Sequence, residues 1–186
     1  MKRGSTLLYS ACLVALSIGA AEAGPRTFDV AENLSRFVFA PQPVFDDGMP
    51  AYGNVFVTEG YIYPAGTLDG GVEGTLADGS PAFPDKVIGT WVCDGVFVGN
   101  GMRTESGNIL ISRQVYTFHD GDILISQGGE QMLEGGSFDR VVTGGTGDFL
   151  GLTATLKQTY LGMSDGYGVR LQLELVEGRR QAALAD

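Results

Sequence analysis

The residues able to do chemistry in this 186-residue chain are few, and most are disqualified by their neighbours. "VVTGGTGDFLGLTATLKQ" (141–158) is rich enough in glycine to suggest a phosphate-cradling loop. A Walker loop, however, needs a lysine to reach the anion, and a dinucleotide loop needs a third glycine opening a helix. No lysine stands there, Leu150 occupies the third-glycine position, and a strand-like stretch follows. One histidine, His119, would have to serve any catalytic triad, and no Gly-x-Ser-x-Gly elbow occurs. Cys93 and His119 alone cannot build a structural zinc site. Asp46-Asp47 and "HDGD" lack the spacing of a calcium loop and read as solvated turns. No cofactor or metal is expected. A lone carboxylate turned into an apolar interior would have a raised pKa and could act as general acid or base, a role open to Glu130 only if it faces inward.

The elements that would position such a group read as strands. Glycine, 29 residues, is spread between short runs rich in Val, Ile, Thr, Phe and Tyr. These runs fall at 54–63, 87–98, 108–118, 122–127, 138–143, 149–160 and 167–176, with 37–40 as an eighth. Val169, Leu171, Leu173 and Leu175 alternate with polar residues, the period of a sheet with two environments. Only "FDVAENLSR" and the tail after Glu177 have any helical character. Asp120-Gly121 suits a two-residue type I′ turn. That geometry sets Tyr116 opposite Ile125, Gln114 opposite Gln127, and Arg113 diagonal to Glu130, within ion-pair reach. The Gly144–Gly147 tip reads as another hairpin, with Gly145 at positive φ.

Lys2 and Arg3 precede an apolar stretch, Leu7 to Ala21, that ends in Ala21-Glu22-Ala23. This is the pattern of a secretory signal, too short for a stable membrane span. The expected organisation is a signal peptide over 1–23, an N-terminal segment over 24–36, one barrel domain over 37–177 and a polar tail over 178–186. The mature protein, starting at Gly24, is expected to be secreted or periplasmic. Cys93 is then the sole cysteine left, and burial in the "GTWVCDG" strand is its simplest fate. A formal charge of −10 gives no electrostatic basis for nucleic-acid binding.

Taken together, "YTFHDGDILISQGG" (116–129) and "VTGGTGDFLGLTATLKQ" (142–158) resemble the allene oxide cyclase barrel family and its dirigent relatives over about residues 37–176. The resemblance implies an all-β fold, an eight-stranded antiparallel β-barrel of the calycin-like kind. It also implies an apolar cavity, frequent homodimers or homotrimers, and cyclisation of an unstable epoxide or steering of radical coupling. Oriented as in the cyclases, Phe56, Thr58 and Ile62 face the cavity, and Glu130 takes the place of a tyrosine. The match has gaps. The start reads Ala31-Glu32-Asn33-Leu34 in place of Glu-x-Asn, Ile62 stands where a cysteine is expected, and Leu152-Thr153-Ala154 replaces the dirigent Ala-Arg-Gly. The scaffold carries over and the catalytic residues do not.

An inward Glu130 conflicts with the hairpin register unless a bulge at Gly128-Gly129 reverses its facing. The Gln114-Tyr116-Phe118 face supplies an aromatic wall with amide and hydroxyl groups, suited to an oxygenated apolar molecule. Two functions follow: a barrel that binds such a ligand and steers its cyclisation or coupling, or a filled barrel serving as an oligomeric interaction module.

Overall fold

The structure, a computed structural model, describes residues 26–164 and 168–177. The expected signal peptide and the polar tail lie outside the described residues. Eight strands form one closed antiparallel barrel in simple meander order: β1 (Thr27–Phe39), β2 (Val55–Pro64), β3 (Gly89–Phe97), β4 (Leu110–Phe118), β5 (Ile123–Glu130), β6 (Ser137–Gly145), β7 (Ala154–Ser164) and β8 (Gly168–Glu177). β1 pairs with β8 to complete the ring, which leaves no open sheet edge. Among the described residues no helix is long and apolar enough to cross a membrane.

The barrel starts at Thr27 and not at Phe37, so most of the segment expected to precede it belongs to its first strand. Phe28 and Val30 point into the core, as alternation requires. Asp29 and Ala31, on the opposite face, are buried too, because the long connection from β2 to β3 folds over them. The Leu68 N–H donates to Asp29 Oδ2 at 2.9 Å and the Thr75 hydroxyl donates to the Glu32 carbonyl at 2.8 Å. Burial on both faces removes the period-two signature, so "FDVAENLSR" is a strand that does not look like one. An irregularity between Asn33 and Val38 then bends the strand.

The β4–β5 turn differs from the two-residue form by one residue. Phe118 N–H donates to the Asp122 carbonyl at 2.9 Å and Gly121 N–H to the Phe118 carbonyl at 3.0 Å, with Gly121 at φ 93. This is a three-residue loop, His119-Asp120-Gly121, in which glycine takes the left-handed position. Tyr116 therefore faces Leu124, Gln114 faces Ser126 and Arg113 faces Gln127. A one-residue slip reverses which side chains of β5 point inward. Glu130 consequently points into the barrel with the β4–β5 pairing unbroken at Gly128-Gly129, and Arg113 pairs with Asp94 at 2.8 Å instead. Gly145 is also not at positive φ; Gly147 is, at 53.

The two ends of the barrel interior differ. Near the β4–β5 turn, Phe28, Tyr116, Phe118 and Phe149 pack as a plug, with ring centroids 5.2 to 5.5 Å apart. At the other end the interior is hollow.

Candidate ligand cavity

The hollow end is a cavity of about 340 Å³, within the size range of small-molecule sites. Phe37, Phe39, Phe56, Phe97 and Trp91 supply aromatic walls, with Leu34, Ile109, Val169 and Leu171 between them. Met49, Met102, Met132 and Met163, drawn from four separate chain segments, also line it. Methionine suits such a place because its unbranched thioether adapts to irregular shapes.

Polar groups gather at its inner end. Glu130, on β5, accepts hydrogen bonds from Gln114 Nε2 at 2.9 Å and Gln158 Nε2 at 3.0 Å, and from the Ser112 hydroxyl. Arg140, on β6, is fully buried. Its Nε donates to the Ser126 hydroxyl at 3.0 Å and its Nη2 to Ser112, carbonyl and hydroxyl, at 3.0 and 2.9 Å. Its Nη1 stands 3.1 Å from Glu130 Oε1, an ion pair whose angle is poor for a hydrogen bond. Gln114 Nε2 also donates to Gln158 Oε1 at 3.0 Å, while Gln114 Oε1 accepts from Trp91 Nε1 at 3.2 Å and from the Tyr116 hydroxyl. A network with this many shared donors and acceptors is rigid, because each fixes the next, and only Arg140 Nη1 among these groups is left with an ion pair alone.

Glu32, on β1, is a second carboxylate in the cavity lining and is 4 % exposed. It accepts from the Thr58 hydroxyl at 2.7 Å and from the Val169 N–H at 2.8 Å. Burial pushes its carboxyl above the ordinary range and the Glu130 charge adds to this, against the pull of its two hydrogen bonds. Sequence reasoning noticed Glu32 only as part of an imperfect motif. Its inward phase with Phe28 and Val30 was the signal available, hidden by the buried outer face of the same strand.

Of the residues singled out from sequence, Phe56, Thr58 and Glu130 line the cavity. Ile62, Gln114, Tyr116 and Phe118 point into the barrel but do not line it. Tyr116 and Phe118 belong to the aromatic plug, and the Tyr116 hydroxyl is engaged by Gln114. Burial raises its pKa well above the usual value. Cys93 lies in the lining with Sγ 3.8 Å from Glu130 Oε1. Burial, reinforced by the Glu130 charge, pushes its thiol up, which disfavours the thiolate that nucleophilic chemistry needs. His119 is exposed at its turn and Asp47 pairs with Arg103 at 2.8 Å. Among the described residues no cluster of His, Cys, Asp and Glu has the makings of a metal site.

No protein-family model and no curated protein matches the chain. Solved structures do. The pterocarpan synthase dirigent protein PsPTS1 superposes with a TM-score of 0.57 at 15% identity, over 81% of this chain and 92% of that one. A second pterocarpan synthase dirigent protein, GePTS1, gives 0.55 at 12% identity, over 80% of each chain. A pyocyanin demethylase gives 0.49 at 15% identity, over 81% of this chain and 98% of the other. At such identities the likeness is one of fold: the chain is an all-β, eight-stranded antiparallel barrel, similar in fold to these dirigent proteins.

Proposed function

We propose that this is a secreted or periplasmic protein whose barrel binds a small apolar, oxygenated molecule and steers its cyclisation or coupling. The observation that carries the proposal is the division of the barrel into an aromatic plug and an apolar cavity with hydrogen-bonding groups at its inner end. A rigid wall holding a reactive molecule in one conformer lowers the entropic part of its barrier without a strong catalytic group. Glu130 is held by three neutral donors and Arg140, and serves as a fixed acceptor. Glu32, with its raised pKa and no ion-pair partner among the described residues, is the better proton donor or acceptor for an oxygen of the ligand.

A second reading, assembly through the outer wall, draws on Val38, Val55 and Ile111, which are 60%, 55% and 45% exposed there. Native mass spectrometry of the protein exported by its own source tests both. A chain beginning at Gly24 that retains one small molecule per barrel is the expected result. An exported chain with Met1 intact refutes secretion by cleavage, and empty oligomers under gentle ionisation favour the assembly reading.

A further inference from the structure

The charged groups of the cavity bear on what it could accept. Its two carboxylates are compensated very differently. Glu130 faces the fully buried Arg140 guanidinium at 3.1 Å. Glu32 has only neutral donors, the Thr58 hydroxyl at 2.7 Å and the Val169 N–H at 2.8 Å. Among the described residues that line the cavity, none is Lys, Arg or His. A desolvated carboxylate without a counter-ion is costly, and a cation entering the cavity would relieve that cost.

The wall suits the same kind of guest. Phe39, Phe37, Phe56 and Phe97 form a continuous run of rings, with successive centroids 5.9, 5.7 and 5.2 Å apart. Aromatic faces carry partial negative charge and attract quaternary or delocalised cations once water is excluded. The formal charge of −10 draws cations toward the protein at long range and repels anions. A fatty-acid carboxylate would instead add a third negative group beside Glu32 and Glu130.

We infer that the ligand is an aromatic cation, a protonated or quaternised amine whose charged centre sits at Glu32 and whose apolar body lies on the phenylalanine wall. The inference rests on the binding reading above and names its ligand class. The chemistry is complementary throughout: Glu32 supplies the counter-charge, the rings supply polarisable faces, and the Gln158 and Glu130 end offers acceptors for a hydroxyl on the same molecule.

Three bicyclic probes of nearly equal size test it by isothermal titration: N-methylquinolinium as the cation, 2-naphthol as the neutral oxygenated molecule and 2-naphthoate as the anion. N-Methylquinolinium should bind about tenfold or more tighter than 2-naphthol, the worth of one desolvated cation–π and ion-pair contact, with 2-naphthoate weakest. Glu32→Gln should lower affinity for the cation by about tenfold and shrink its lead over 2-naphthol. The ranking in the unaltered protein decides the matter even if the variant folds poorly. Equal or tighter binding of 2-naphthol or 2-naphthoate overturns the charge inference and leaves cavity binding standing. Full cation preference in a folded Glu32→Gln variant also overturns it. Failure of all three probes to bind removes the cavity reading and this inference together.

Discussion

Arg140 and Glu130 are held together because neither is tolerable alone. Removing one member of a buried ion pair strands the other, at a cost of about 3–5 kcal/mol. Arg140→Met should therefore destabilise the protein by about that amount in urea denaturation. Adding Glu130→Gln should recover at least half of the loss, since the amide keeps hydrogen-bonding capacity without the charge. Losses that simply add would show that the two are uncoupled. Glu32 behaves in the opposite sense. Its folded pKa lies above the unfolded one, so the stability it contributes is full below the ordinary carboxylate range and is lost as pH rises through the raised value. Glu32→Gln should raise the melting temperature near pH 7, and the gain should vanish below pH ~4, under the ordinary glutamate value. A gain of equal size at both pH values would show that Glu32 is not protonated more readily in the fold. Glu130 was legible as a candidate from the resemblance, which puts it in the place of a tyrosine, whereas the two-residue hairpin register turned it outward. Glu32 was not, because period-two reading fails on a strand buried on both faces.

At the scale of elements, a single turn decided the facing of β5. Asp-Gly is compatible with both a two-residue and a three-residue loop, and nothing local distinguishes them. The choice settles whether Glu130 meets solvent or the interior. The strands themselves were readable because runs of β-branched and aromatic residues bounded by glycine have few other outcomes. The β6–β7 connection shows how unlike adjacent glycines are. A Cβ on Gly147 would meet Asp122 Oδ1 at 1.6 Å, on a residue whose backbone already has positive φ. That carboxylate also accepts the Asp148 N–H at 2.8 Å, so it cannot swing away freely. A Cβ on Gly145 would meet Phe149 Cβ at 2.5 Å, whereas one on Gly144 would meet nothing within 4 Å. Gly147→Ala should cost roughly 1–3 kcal/mol through strain. Gly145→Ala should cost a similar amount, roughly 1–3 kcal/mol, through crowding. Gly144→Ala should stay within about 0.5 kcal/mol. Equal melting temperatures for the three variants would contradict this account of the tip.

For the molecule as a whole, strand number, turn spacing and the resemblance of 116–158 to a known barrel family were enough to anticipate the closed barrel. They did not reveal where it is hollow. The Gln114-Tyr116-Phe118 face is a mixed-polarity wall by composition, yet Phe28 and Phe149 pack against its two aromatic rings and close that end. The space is left at the other end, where the lining side chains come from distant parts of the chain. Four methionines mark that end and give a direct reporter of its occupancy. The decisive measurement is a methyl-resolved NMR titration of protein carrying ¹³C-labelled methionine methyl groups, with 2-naphthol as the probe. Met49, Met102, Met132 and Met163 should all shift and saturate together at one probe per chain. Unchanged methionine signals while 2-naphthol binds, or shifts that grow without saturating, would place binding outside the cavity and contradict the account.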